Sequence, residues 1–267
     1  MKGIFKEIKK GFYLKLIVFL LAVYLFFFYV PDIKAVSDLP LILGAHRGSS
    51  VNYTENTVEA IEKALEIKDY NFIEFDIQYT KDKAIIVFHD NSLLRLQGKL
   101  ANIRKLTYQE LSELSKYHIP TYQEVMDLIG DDKRMNIEIK SQGNFEDDKK
   151  LIDFVIQDCQ ERGILDLVLL SSISPEVVNY ISNSYPELKT GKIYWLNPIT
   201  YLPFEFIVQD FYQEMEEIGA DYLMLHGINL KNYNLLTELK PLDKTLVFWY
   251  FNDQMLIVQQ DPTDLLW

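Results

Sequence analysis

"LILGAHRGSSVNYTENTVEAIEKALEI", residues 41–67, carries two hydrophobic periods in succession. Leu41-Ile42-Leu43 is a short apolar run of the kind a buried strand supplies. From Asn56 to Ile67 the period changes, and Val58, Ile61, Ala64 and Leu65 share one stripe at helical spacing. His46, Arg47 and Gly48 stand between these two patterns, and Glu55-Asn56-Thr57 opens the second. The unit reads as strand, polar loop and helix, with its reactive side chains where the strand ends.

The same alternation continues outward. Further candidate strands are Phe72–Ile77, Ala84–His89, Arg134–Ile139, Asp166–Ser171, Lys189–Trp195, Tyr222–Leu225 and Thr245–Tyr250, joining Leu41–Ala45. Helical patterns run over Asp147–Arg162 and, in shorter form, Thr107–Ser115 and Thr121–Leu128. Pro175–Ser184 is a helix with Ser174 as its cap and Pro175 in its first turn. Strands alternating with helices predict a parallel sheet covered on its faces, and eight candidate strands narrow this α/β class to a (β/α)8 TIM barrel. Between Ile77 and Ala84 the chain reaches at most about 20 Å, too short for a crossover helix, so the barrel is expected to be irregular there.

Composition sets limits. The 267-residue chain has a net charge of −12, which gives no support to nucleic-acid binding. Its one cysteine, Cys159, excludes an internal disulfide and a cysteine-rich metal site. The first 36 residues differ from the rest. Phe12–Val30 is apolar except for Lys15, follows Lys2, Lys6, Lys9 and Lys10, and is closed by Pro31. A run of this length predicts one transmembrane helix. The lysines place the N-terminus in the cytoplasm and the domain over 37–267 outside, in a single-pass arrangement. The alternative is a secreted protein whose signal peptide is cleaved near Ile33-Lys34-Ala35. It is disfavoured by the bulky Ile33 and by the length of the apolar run.

Polar residues recur at strand ends. His46-Arg47 follows the first strand. Glu74 and Asp76 lie two apart in "FIEFDI" and so share a face. His89-Asp90 ends the third strand, and Glu138 and Lys140 end the fourth, "NIEIK". In a barrel these ends surround one pocket. Three carboxylates without a thiolate suit a hard divalent cation, Mg2+ or Ca2+. Two imidazoles can divide acid and base work, and Arg47 and Lys140 suit a phosphate. Together these groups describe phosphodiester cleavage. Glu55 and Asn56 are read as support for the site rather than as ligands. His118 and His226 are read as structural or exposed. Tyr194, Trp195, Tyr201, Phe204 and Phe206 are read as core and rim packing.

"HRG…ENT", "EFDIQYTKDKAIIVFHD", "IPTYQEVMDLI" and "NIEIK" together resemble the glycerophosphodiester phosphodiesterase family. The likeness is clear over Leu41–Ser141 and fainter to Asn252, where "FWYFND" is similar to the family's Trp-Thr-x-Asn-Asp. The resemblance implies a distorted TIM barrel, metal ligands at Glu74, Asp76 and Glu138, acid and base at His46 and His89, and phosphate contacts from Arg47 and Lys140. It implies release of sn-glycerol 3-phosphate and an alcohol from a glycerophosphodiester. A lysophospholipase D-type or phosphoinositide phospholipase C-like lipid phosphodiesterase on the same barrel is one alternative. A barrel impaired in catalysis and kept as a binding module is another. Thr54 stands where the family usually has Pro. The family also continues past its Trp-x-x-Asn strand through a helix to Asp-Gly-Ile-Ile-Thr-Asp-x-Pro, whereas this chain reads "DPTDLLW". The carboxyl end of the barrel is therefore expected to be truncated, leaving Thr245–Tyr250 or Leu41–Ala45 short of cover.

Overall fold

The computed structural model describes residues 41–195, 203–250 and 252–258, with 15–17 and 20 ahead of them. Among the described residues nine strands form one sheet: β1 (Leu41–His46), β2 (Tyr70–Tyr79), β3 (Ile85–Val87), β4 (Arg134–Ile139), β5 (Val168–Ser172), β6 (Lys189–Ile193), β7 (Tyr222–His226), β8 (Thr245–Trp249) and β9 (Gln254–Val258). Helices intervene: α1 (Val58–Glu66), α2 (Leu94–Gln97), α3 (Tyr108–Leu114), α4 (Tyr122–Ile129), α5 (Phe145–Arg162), α6 (Pro175–Ser184), α7 (Glu205–Ile218) and α8 (Tyr233–Glu238). The strand order β1-β9-β8-β7-β6-β5-β4-β2, closed by pairing of β1 with β2, makes an eight-stranded barrel.

The alternation of side chains along β2 shows how the barrel sorts them. Ile73, Phe75 and Ile77 point outward into the apolar layer shared with α1, α4 and α5. Phe72 joins Leu169, Met224, Val247 and Ile257 in the barrel interior. Glu74 and Asp76 share the inner face with Phe72, because side chains alternate with a period of two. Gly44 makes room for this packing, since a Cβ there would lie 2.1 Å from the Phe72 ring. The caps are local: Thr57 accepts from the Ala60 amide at the start of α1, and Ser174 caps α6 with Pro175 in its first turn.

Three elements correct the sequence reading. Ala84–His89 is not a barrel stave; only Ile85–Val87 is strand, and it folds back antiparallel on the far end of β2. This is the irregularity that the short Ile77–Ala84 link required. The eighth stave is instead β9, which runs antiparallel between β1 and β8. It covers both edges that the sequence left open, and a tight hairpin replaces the helix the resemblance implied. The strand expected to start at Asp166 starts at Val168, after a 3-10 turn over Leu165–Leu167.

Among the described residues no helix is long and apolar enough to cross a membrane. Residues 15–17 and 20 are helical, and the rest of the predicted span Phe12–Val30 lies outside the described residues.

Candidate active site

Strand register assembles the site. His46 pairs with Glu74 across β1 and β2. Glu74 pairs with Asn136, and Asp76 with Glu138, across β2 and β4. These side chains therefore form adjacent rows on the inner face near the carboxyl ends of the parallel strands. Glu74, Asp76 and Glu138 are all buried, and each offers an oxygen within 4.8 Å of the others. An all-oxygen set of three acids fits a hard divalent cation. Arg47 and Lys140 stand beside the three acids, and burial opposes the ionised forms of Glu74 and Glu138, an opposition that a bound cation would offset.

The cations are held by the same acids. The Lys140 ammonium lies 2.8 Å from Asp76 and 2.5 Å from Glu138. The Arg47 amide donates to Glu74 at 2.7 Å, its Nε lies 3.4 Å from Asp76, and its Nη1 donates to Glu55 at 2.8 Å. Asn56 donates through Nδ2 to Asp76 at 2.7 Å and accepts from the Asp76 amide at 3.2 Å. Arg47 and Asn56 both adopt left-handed backbone, with φ of 59° and 58°. Such conformations cost energy in residues other than glycine and cluster at functional sites. Gly48 completes the turn at φ +74°, where a Cβ would press on the Ala60 backbone at 2.7 Å.

Burial divides the three acids. It raises Glu74 well above the usual carboxylate range, and the neighbouring Asp76 adds to that rise. Burial raises Glu138 as well. The same burial would raise Asp76, but Lys140, His89 and Arg47 together hold it well below its usual value. Burial opposes the charge on Lys140 too, yet Asp76 and Glu138 outweigh it and raise its pKa.

The two histidines sit in different environments. His46 is buried, and its Nδ1 lies 3.0 Å from the Asn252 carbonyl. That contact requires the proton on Nδ1, so Nε2 carries the lone pair. Burial, reinforced by Arg47, lowers its pKa to about 3. The His46 amide also donates to the Asp253 carbonyl at 2.9 Å, so the β8–β9 turn holds this residue from two sides. His89 is partly open and contacts Asp90 through Nδ1 at 2.6 Å. Asp90 is held well below its usual value by hydrogen bonds from His89 and Arg95, against the effect of burial.

All nine residues singled out in the sequence, His46, Arg47, Glu55, Asn56, Glu74, Asp76, His89, Glu138 and Lys140, converge on this face. Three participants escaped the sequence reading as site residues. Asp90 was signalled by its adjacency to His89. Arg95 joins a residue 40 positions away and no pattern quoted above marks it; Asn252 stands in the family-like "FWYFND", but nothing local shows that its carbonyl joins a residue 206 positions away. Beside the site opens a cleft of about 570 Å³ lined by Leu94, Arg104, Ile173, Ser174 and Trp195.

The residues set aside as packing fall into place unevenly. Tyr194 packs on Phe211. Trp195 is 48% exposed and stacks on Trp249, and Phe204 and Phe206 are exposed and stack on one another. These three are rim rather than core. Tyr201 lies outside the described residues. His118 is exposed and paired with Glu124, and His226 is buried beside Trp249.

Comparison with known proteins gives concordant results. The pattern of the glycerophosphoryl diester phosphodiesterase family matches residues 46–247. A glycerophosphodiester phosphodiesterase of Caldanaerobacter subterraneus is 34% identical over 163 residues, 56% of this chain and 65% of that protein. A lysophospholipase D of Mus musculus is 35% identical over 89 residues, 33% of this chain and 24% of that protein. The matched stretches thus span less than two thirds of these relatives. Among solved structures, a glycerophosphodiester phosphodiesterase of Thermotoga maritima has a TM-score of 0.61 at 27% identity, covering 79% of this chain and 87% of that one. An Oleispira antarctica phosphodiesterase, solved with its product sn-glycerol-3-phosphate, has a TM-score of 0.62 at 21% identity, covering 82% and 87%. The latter likeness concerns the fold.

Proposed function

The chain belongs to the glycerophosphoryl diester phosphodiesterase family, and from that membership we propose that it hydrolyses glycerophosphodiesters to sn-glycerol 3-phosphate and an alcohol. The observation that carries this reading is the buried triad Glu74, Asp76 and Glu138 with two histidines and two cations on the same barrel face. The triad would hold one divalent cation, Mg2+ or Ca2+, which when bound supplies charge stabilisation to the phosphoryl oxygens. Arg47 and Lys140 bind the phosphate, the arginine as a fork and the lysine as a point charge.

Neutral His46, with its Nδ1 proton turned to Asn252, takes a proton on Nε2 from the attacking hydroxyl. His89, oriented by the 2.6 Å contact of its Nδ1 with Asp90, gives a proton to the departing alcohol oxygen. One P–O bond forms and one breaks, and a proton moves at each side. The attacking hydroxyl is either water or the substrate's own 2-hydroxyl. In the latter case a cyclic phosphate forms, and water opens it with the two histidines exchanging roles.

A lysophospholipid is the second substrate reading, favoured by Leu94, Ile173 and Trp195, which put apolar surface into the cleft beside the site. For location, the lysine-rich front and apolar Phe12–Val30 support a single-pass anchor with a cytoplasmic N-terminus and an external barrel. Protease added to intact cells then digests the barrel; protection until the membrane is opened would reverse the topology.

The functional test is choline release, with glycerol 3-phosphate left from glycerophosphocholine and lysophosphatidic acid left from lysophosphatidylcholine, with and without EDTA. His46→Ala and His89→Ala should each lower kcat by about 10²–10⁴ while the fold persists. No release by the wild-type chain with either cation present would leave the binding-module alternative.

A further inference from the structure

Arg95 stands on the short α2, away from the strand ends that supply the rest of the site. Its guanidinium is shared between carboxylates of two different loops. Nη1 and Nη2 donate to Glu55 at 2.7 and 2.5 Å. Nε and Nη2 donate to Asp90 at 2.7 and 3.0 Å. Each carboxylate has a second partner inside the site: Glu55 accepts from Arg47 at 2.8 Å, and Asp90 contacts His89 at 2.6 Å. The side chains Asp76, Arg47, Glu55, Arg95 and Asp90 thus form one line of alternating charge that ends on His89 at the mouth of the barrel.

We propose that Arg95 is a positioning residue, whose fork fixes the Arg47 arm and the His89 arm at a set separation; this rests on the roles proposed for those two residues. Only a planar guanidinium can meet two carboxylates with paired bonds; an ammonium is a single point charge. An exposed ion pair is ordinarily of little consequence, and the Arg95 side chain is 46% exposed. Its partners are not: Glu55 and Asp90 are 14% and 19% exposed. With Arg95 removed, those two carboxylates lose the cation between them and repel each other, and each is free to leave its catalytic partner.

The test uses Arg95→Ala and Arg95→Lys in the full chain. A displacement of about 1 Å in a catalytic group costs about 100-fold in rate, so Arg95→Ala should lose about 10- to 100-fold in kcat. Arg95→Lys should remain well below wild type, although its charge is kept. Added guanidinium ion should restore part of the turnover of Arg95→Ala, and methylammonium at the same concentration should not. A crystal structure of the Ala variant should show the Asp90–His89 or the Glu55–Arg47 contact broken. Wild-type kcat in Arg95→Lys, or both contacts retained in the Ala variant, overturns the proposal. If wild type releases no glycerol 3-phosphate, the proposed function fails, and the crystallographic comparison still decides the role of Arg95.

Discussion

Replacing Asn56 by alanine removes a buried contact of the metal-site candidate without touching any of the three acids. Asn56 is 2% exposed, and its side chain donates to Asp76 and accepts from the Asp76 amide. A hydrogen bond to a charged group contributes about 1.5–3 kcal/mol. The backbone adds a second cost, because Asn56 sits at φ 58°, and alanine pays about 1–2 kcal/mol in the left-handed region that asparagine tolerates. The sum is about 2.5–5 kcal/mol, which corresponds to a fall of about 5–20 °C in Tm for a domain of this size. Asn56→Gly lacks the backbone penalty and should melt between the two. The freed Asp76 carboxylate should also weaken cation binding by about 10–100-fold, as loss of an outer partner of a metal ligand does. Calorimetry in EDTA measures the first effect, and the cation concentration giving half-maximal activity measures the second. If Asn56→Ala melts as wild type does and needs no more cation, Asp76 is oriented by other groups and the reasoning fails.

EDTA should abolish activity and Mg2+ or Ca2+ restore it, with Glu138→Gln shifting the required concentration upward; full turnover by metal-free protein would leave the triad as a structural cluster. Gly44→Ala places a methyl group against the Phe72 ring and should cost about 1–3 kcal/mol in urea unfolding. It should also lower kcat, because His46 follows two residues later, and an unchanged urea midpoint would show that Phe72 simply moves aside. His226 is buried with its pKa lowered to about 4, so the unfolded chain takes up its proton near pH 6.5 while the folded chain does not until about pH 4. Its contribution is therefore complete above pH 6.5 and lost on acidification, by up to about 3 kcal/mol at pH 4. Denaturant midpoints at pH 7 and pH 4.5 should differ less in His226→Gln than in wild type, and an equal difference in both would remove His226 as the cause.

The sequence by itself determined the repeating strand–helix unit and the face on which each reactive residue lies. Both are local properties: a period of two along "FIEFDI" puts Glu74 and Asp76 on one side, and the change of period after Asn56 marks the first helix. Because parallel staves align their ends, the residues at the ends of β1, β2 and β4 had to meet, whereas His89 arrives from β3, which folds back antiparallel outside the barrel. Tertiary structure alone decided how the barrel closes and how the site is braced. The antiparallel stave Gln254–Val258 has no helix before it to announce a new strand, and its place depends on the two open edges it can pair with. The Asn252 carbonyl reaches His46 only because that hairpin returns over the first strand. Arg95 meets Glu55 only because the loops after the first and third strands are brought side by side. Contacts of this reach leave no period in the chain; they are fixed by which edges and charges remain unpaired once the local elements have packed.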